Sequence, residues 1–223
     1  MRLFLFVSIL VLFEPFSQAA ASDSCVTYPV RVGAGRLDLA PPSGFVEICS
    51  QDAKLCSILT GGYPSSVQTV GYFVSPQEWA QFKKGEIRGF TRYLIAQISR
   101  STDPQGFPGL KDFVRSQQGT IPDHTDLPGT LKSQGRVSLG VIEETSDSIT
   151  FGAIMKTQVA SSPDREFVLV ALNAVMVVGP LVLSLYSFRD YQGMMDVETA
   201  KQLTKSWLQC IRSSNRKGRT TSR

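Results

Sequence analysis

The stretch from Phe167 to Phe188, FVLVALNAVMVVGPLVLSLYSF, decides the fold. It carries no formal charge over twenty-two residues, and roughly 20 apolar residues suffice for a helix that spans a bilayer. Read that way, the chain is a single-pass membrane protein spanning 167–188, and the basic residues beyond it fit the positive-inside bias. Three features favour another reading. Gly179-Pro180 stands in the middle, where a tight turn is more natural than a helix. Valine dominates, and β-branched side chains suit a pleated surface. After the turn, Leu181, Leu183 and Leu185 are set against Ser184 and Tyr186. The stretch therefore predicts two core strands, about Glu166 to Val178 and Leu181 to Ser187, joined by a tight turn.

Working outward toward the C-terminus, Asp196 to Ser213 predicts an amphipathic helix capped by Asp196. Ala200, Leu203, Trp207 and Ile211 recur at three- and four-residue spacing and give one apolar stripe, with Cys210 beside it. Toward the N-terminus, Arg136 to Glu143 and Ser148 to Thr157 read as two strands around Glu144-Thr145-Ser146-Asp147, a hairpin. Gly119 to Gly135 reads as a long loop with two prolines. Gly109 to Gln118 predicts a short helix whose apolar side is Leu110, Phe113 and Val114. Phe90 to Ser99 alternates as a strand. Ser75-Pro76-Gln77-Glu78 has the form of a capping box with proline at the first helical position, ahead of Trp79 and Phe82 and before a stop at Gly85. Ser66 to Val74 and Phe45 to Ile48 read as strands. Ser50 to Thr60 reads as a short helix capped by Ser50, with a hairpin arm as the competitor. Cys25 to Val32 is extended and ends at a Gly33-Ala34-Gly35 turn. The pattern is α+β: one antiparallel β-sheet with helices packed on it and a C-terminal amphipathic helix closing the chain.

The ending, from Val168 through Gly179-Pro180 to Leu185 and Tyr186, then an acidic-capped helix with Trp207 and Asn215, resembles the closing hairpin and helix of the PsbP-like (Mog-type) α/β sandwich. The likeness covers the last third of the chain. It implies a non-enzymatic binding or assembly role. It transfers no catalytic residue, because that fold has no shared catalytic motif.

The front of the chain reads as an address. Arg2, the uncharged run Leu3 to Phe13, Pro15 and Ala19-Ala20-Ala21 form the pattern of a secretory signal peptide over 1–21. The expected organisation is this signal, a single domain over 22–213, and a basic disordered tail over 214–223, giving a periplasmic or secreted protein cleaved near Ala21. In an oxidising compartment the four cysteines, Cys25, Cys49, Cys56 and Cys210, suggest two disulfides with three possible connectivities. Cys49 and Cys56 can pair only if the chain turns between them, since seven residues of continuous helix would hold their α-carbons about 10 Å apart. Gln51-Asp52-Ala53-Lys54 offers that turn. Cys25 and Cys210 would then tie the two ends of the domain together, the preferred pairing of the three.

Composition narrows the function classes. Of the 223 residues, 42% are hydrophobic and 19% charged, which excludes a wholly disordered chain. A single histidine, His124, excludes any polyhistidine metal site. No cofactor loop is present, since Gly33-Ala34-Gly35 lacks the third glycine and the following helix. Glu143-Glu144 at a hairpin end reads as solvated. Core packing explains most of the cluster Tyr63, Tyr72, Phe73 and Trp79, with an exposed aromatic ligand patch as the alternative. The formal net charge of +4 is concentrated at the end, in Arg212, Arg216, Lys217, Arg219 and Arg223, a weak anionic-surface contact with no specific nucleic-acid binding. The leading expectation is an exported, non-enzymatic binding or envelope-associated protein whose partner is a protein or small ligand. The alternative is an exported hydrolase using His124 on the 119–135 loop, although no G-x-S-x-G elbow nominates its nucleophile.

Overall fold

Val178 and Leu181 face each other across Gly179-Pro180, and the two long strands they end run back antiparallel through Leu169 and Asp190. Gly179 has φ +59°, the left-handed conformation wanted at the first position of a primed hairpin turn, and Pro180 supplies the fixed negative φ of the second. The computed structural model describes residues 25–33, 35–100, 102–118, 131, 135–159 and 162–216. No helix among the described residues is long and apolar enough to cross a membrane. The single-pass reading of 167–188 is thereby corrected: the segment is a hairpin, because the glycine-proline pair bends it and its neighbours bury both of its faces.

In chain order the strands are β1 (Tyr28–Val32), β2 (Gly35–Leu39), β3 (Val46–Glu47), β4 (Val67–Val74), β5 (Tyr93–Ser99), β6 (Arg136–Glu144), β7 (Ser148–Val159), β8 (Ser162–Val178) and β9 (Leu181–Asp190). The described helices are α1 (Ala53–Thr60), α2 (Pro76–Lys83), α3 (Phe107–Gln118) and the closing helix, α4 (Met194–Arg216). A short 3-10 turn, Pro104–Gly106, leads into α3. One sheet has the order β3-β4-β5-β9-β8-β7-β6, with β1 and β2 forming a separate hairpin. Every pairing is antiparallel. The fold is thus the α+β arrangement expected, a large antiparallel sheet with the C-terminal helix packed on it.

The sheet is covered on both faces, which explains why β8 and β9 read as nearly continuous apolar runs. On one face Phe73, Leu94, Ala96, Met176, Leu183 and Leu185 meet Trp207, Leu208 and Ile211 of α4, and Leu37 and Leu39 of the small hairpin. Trp207 is fully buried and lies edge-on to Phe73, ring centroids 6.1 Å apart. Gly71 is required here, since a β-carbon on it would sit 2.6 Å from the Phe73 ring. On the opposite face, Ile48, Tyr72, Val74 and Ile95 pack with Trp79 of α2. Farther along that face, Ile149, Val175 and Val182 pack with Phe107 and Val114 of α3.

Several boundaries differ from the sequence reading. Asp52, not Ser50, caps α1, its Oδ1 accepting the Leu55 N–H at 2.9 Å. Ser75 caps α2 as expected, but the Glu78 carboxylate does not return to the cap's N–H. It accepts from Thr91 N, Thr91 Oγ1 and Arg92 N, because the incoming loop brings those donors closer. Phe113 is 60% exposed, off the apolar side of α3. The closing helix begins at Met194, so Asp196 lies inside its first turn and accepts the Gln192 N–H. At its other end the helix runs on through Ser214, Asn215 and Arg216. Both preferred disulfides are formed, Cys25–Cys210 and Cys49–Cys56.

Candidate functional site

Three hairpin turns and the last turns of α4 meet at one end of the sheet and enclose a cleft of about 530 Å³. Its floor is apolar: Val32 and Leu37 from the small hairpin, Met176, Val178 and Leu181 from β8 and β9. Its rim is polar and mostly cationic, with Arg36, Arg212, Arg216, Asp147 and Asn215. A volume of this size with an apolar floor and a few placed polar groups has the character of a small-ligand site.

Three links hold the walls. Arg212 reaches from α4 to the β6–β7 turn, its Nε donating to Asp147 Oδ2 at 3.0 Å and its Nη2 to Asp147 Oδ1 at 2.8 Å. The same Nη2 donates to Ser148 Oγ at 2.7 Å. The Arg212 hydrogen bonds hold the Asp147 carboxyl below the usual carboxylate range, against partial burial, which pushes the other way; Thr145 Oγ1 adds to the lowering. Asn215 clamps α4 to β2: its Oδ1 accepts the Asp38 N–H at 3.0 Å, and its Nδ2 donates to Asp38 O at 2.9 Å. The Cys25–Cys210 bridge joins the chain just before β1 to the same end of α4. A cleft fixed by such links needs little reordering when something enters it.

The rim charges are unequal. Arg36 is paired with Asp38 at 2.8 Å, and Arg212 with Asp147. Arg216 is exposed and has no ion-pair partner among the described residues.

The other predicted positions fall as follows. His124 lies outside the described residues, as do Lys217, Arg219, Arg223 and the segment 1–21. Arg212 is committed to the cleft wall, so it does not join an outward basic patch. All four cysteines are in disulfides, which leaves no cysteine thiolate for nucleophilic chemistry. Glu144 is ion-paired to α3 instead of merely solvated: Arg115 Nη2 lies at 2.6 Å and Lys111 Nζ at 3.0 Å. Hydrogen bonds from Arg115, then from Lys111, bring its pKa down to about 2. Such a carboxylate stays charged at neutral pH and is a poor general acid.

On the opposite face of the sheet Tyr72 stacks on Tyr93, centroids 5.5 Å apart, and Tyr93 on Phe188 at 4.4 Å. Burial pushes the Tyr72 and Tyr93 phenols up, and Tyr63 likewise. All three phenols are neutral at pH 7; Tyr72 and Tyr93 are packing elements, whereas Tyr63 is 40% exposed and not core as read from the sequence. A shallower groove of about 230 Å³ runs beside them, lined by Phe151, Met155, Tyr186 and Arg136 among others.

Sequence reasoning missed Arg36 and Asp147 as members of one site. Asp147 was visible only as a hairpin-turn residue and Arg36 only as a charge after a glycine turn. The extension of the closing helix to Arg216 was also missed, for want of a stop signal after Ser213.

No family model matches this chain, and no curated protein matches it either. Among solved structures, the chain is similar to the crystal structure of the Saccharomyces cerevisiae Ran-binding protein Mog1p, at 13% identity and a TM-score of 0.40, over 84% of this chain and 93% of that one. A mutant of protein Mog1 gives 12% identity and a TM-score of 0.41, over 83% of this chain and 93% of that one.

Proposed function

We propose that this protein is exported and acts by binding, without catalysis, through the cleft at the C-terminal end of α4. The observation that carries the reading is that cleft, an apolar floor under an arginine rim, held by a disulfide and two side-chain clamps. Two disulfides that consume Cys25, Cys49, Cys56 and Cys210 support an oxidising compartment, in keeping with cleavage near Ala21. A protein or a small ligand is the partner class. Weak contact with anionic surfaces is assigned to Arg216, Lys217, Arg219 and Arg223, leaving out Arg212.

The test is recovery of the chain from its expressing cell, followed by N-terminal sequencing and a non-reducing peptide map. A chain starting near Ser22, found outside the cytoplasm with both bridges, is the expected result. A cytoplasmic, reduced, full-length chain would overturn export. Turnover of an ester or peptide substrate that is lost in His124→Ala would overturn the non-enzymatic reading.

A further inference from the structure

The charge count at the cleft narrows what it binds. Three guanidinium groups stand on the rim, and two of them are each matched by a carboxylate: Arg36 by Asp38, and Arg212 by Asp147. Among the described residues one positive charge, that of Arg216, is left over. The last carbonyls of α4 add a partial negative charge of about half a unit nearby. The sum favours a ligand with one negative charge and disfavours one with two. Below the rim, Leu37 and Met176 are buried, and Val32, Val178 and Leu181 are half-buried. That floor offers nothing to a polar body and a good surface to an aliphatic one.

We propose that the cleft binds a single-chain aliphatic carboxylate, with its head at Arg216 and its chain on Met176, Val178 and Leu181. The proposal rests on the cleft being the binding site. Arg216 is suited to the head because its fork can hold both carboxylate oxygens and it holds no acid among the described residues. Asn215 is not available for that task, since its amide is occupied by Asp38 and by the Ile211 carbonyl at 2.8 Å.

The experiment titrates the processed, disulfide-bonded protein with dodecanoate below its micelle concentration, read by calorimetry and by backbone amide shifts. Saturable one-to-one binding is expected, with shifts on Gly35, Val177 and Gly179. Arg216→Gln is expected to weaken binding roughly tenfold, the effect of losing one charged hydrogen-bonding partner. Leu181→Glu should abolish it. Methyl dodecanoate should bind the wild type and Arg216→Gln alike, and dodecyl phosphate should gain nothing from its second charge. Equal binding of dodecyltrimethylammonium, an unaltered affinity in Arg216→Gln, or shifts centred on Tyr186 and Phe188 would overturn the assignment. If dodecanoate fails while a peptide with a free C-terminal carboxylate shifts the same amides, the aliphatic ligand is wrong and the cleft remains the site. If no probe shifts those amides, the cleft reading falls as well.

Discussion

The two faces of the seven-stranded sheet are covered by different means. On one, a single long helix and a small hairpin from the opposite end of the chain lie together. They are tied by a disulfide between residues 185 apart in sequence and by the Asn215–Asp38 clamp, 177 apart. On the other, α1 and α2 fold back beside their own neighbouring strands, the disulfide there spans 7 residues, and only α3 reaches across to β7, β8 and β9. The first face is a long-range construction and the α1–α2 end of the second a local one. The cleft sits on the long-range side because there the Cys25 bridge, the last turns of α4 and three hairpin turns converge.

If that contrast is right, unlinking the ends should hurt most. Cys25→Ser with Cys210→Ser is expected to cost about 5 kcal/mol, the chain-entropy value for so long a loop, measured as a fall in urea midpoint. Trp207→Ala on the same face should cost about 3 to 5 kcal/mol. Trp207→Phe should cost clearly less, because the Trp207 Nε1–H is buried with no partner among the described residues, and phenylalanine removes that donor while keeping most of the ring. Cys49→Ser with Cys56→Ser should cost only about 2 to 3 kcal/mol, as befits a short loop. Equal costs for the two disulfide pairs would break the comparison.

The smallest effect concerns the Arg212–Asp147 wall, where an exposed-side ion pair contributes about 1 kcal/mol. The Asp147 carboxyl is held below its ordinary range in the folded state. Its contribution is therefore present in full above the unfolded value of about 4 and is lost as pH falls through the lower folded value. Urea midpoints of wild type and Asp147→Asn should differ at pH 6 and converge toward pH 2. A gap that widens on acidification would mean the pair does not hold the wall. Glu144, brought to about 2 by Arg115 and Lys111, should weaken the hold on α3 in the same acid direction.

The local face was the more legible in sequence. The Ser75 cap and the Trp79–Phe82 spacing are short-range signals and lie where expected; so is the turn between Cys49 and Cys56, though it falls at 49–51, ahead of the expected Gln51-Lys54, because α1 already starts at Ala53. Phe113 was misplaced because an apolar residue one step off a helical stripe looks the same in sequence whether or not a strand lies beneath it. Glu78 was misassigned because its partners, Thr91 and Arg92, arrive from a loop thirteen and fourteen residues away.

By itself the sequence determined the hairpin at Gly179-Pro180, the α+β class and the amphipathic closing helix. Turn chemistry, β-branching and helical periodicity act over a few residues and are written where they act. The tertiary structure alone decided that β5 pairs with β9, that Ser187 Oγ and Thr204 Oγ1 share a buried hydrogen bond of 2.6 Å, and that Arg36, Asp147 and Arg216 border one cleft. Those meetings depend on which chain segments cover the sheet together, and packing among distant residues has no local sequence signature.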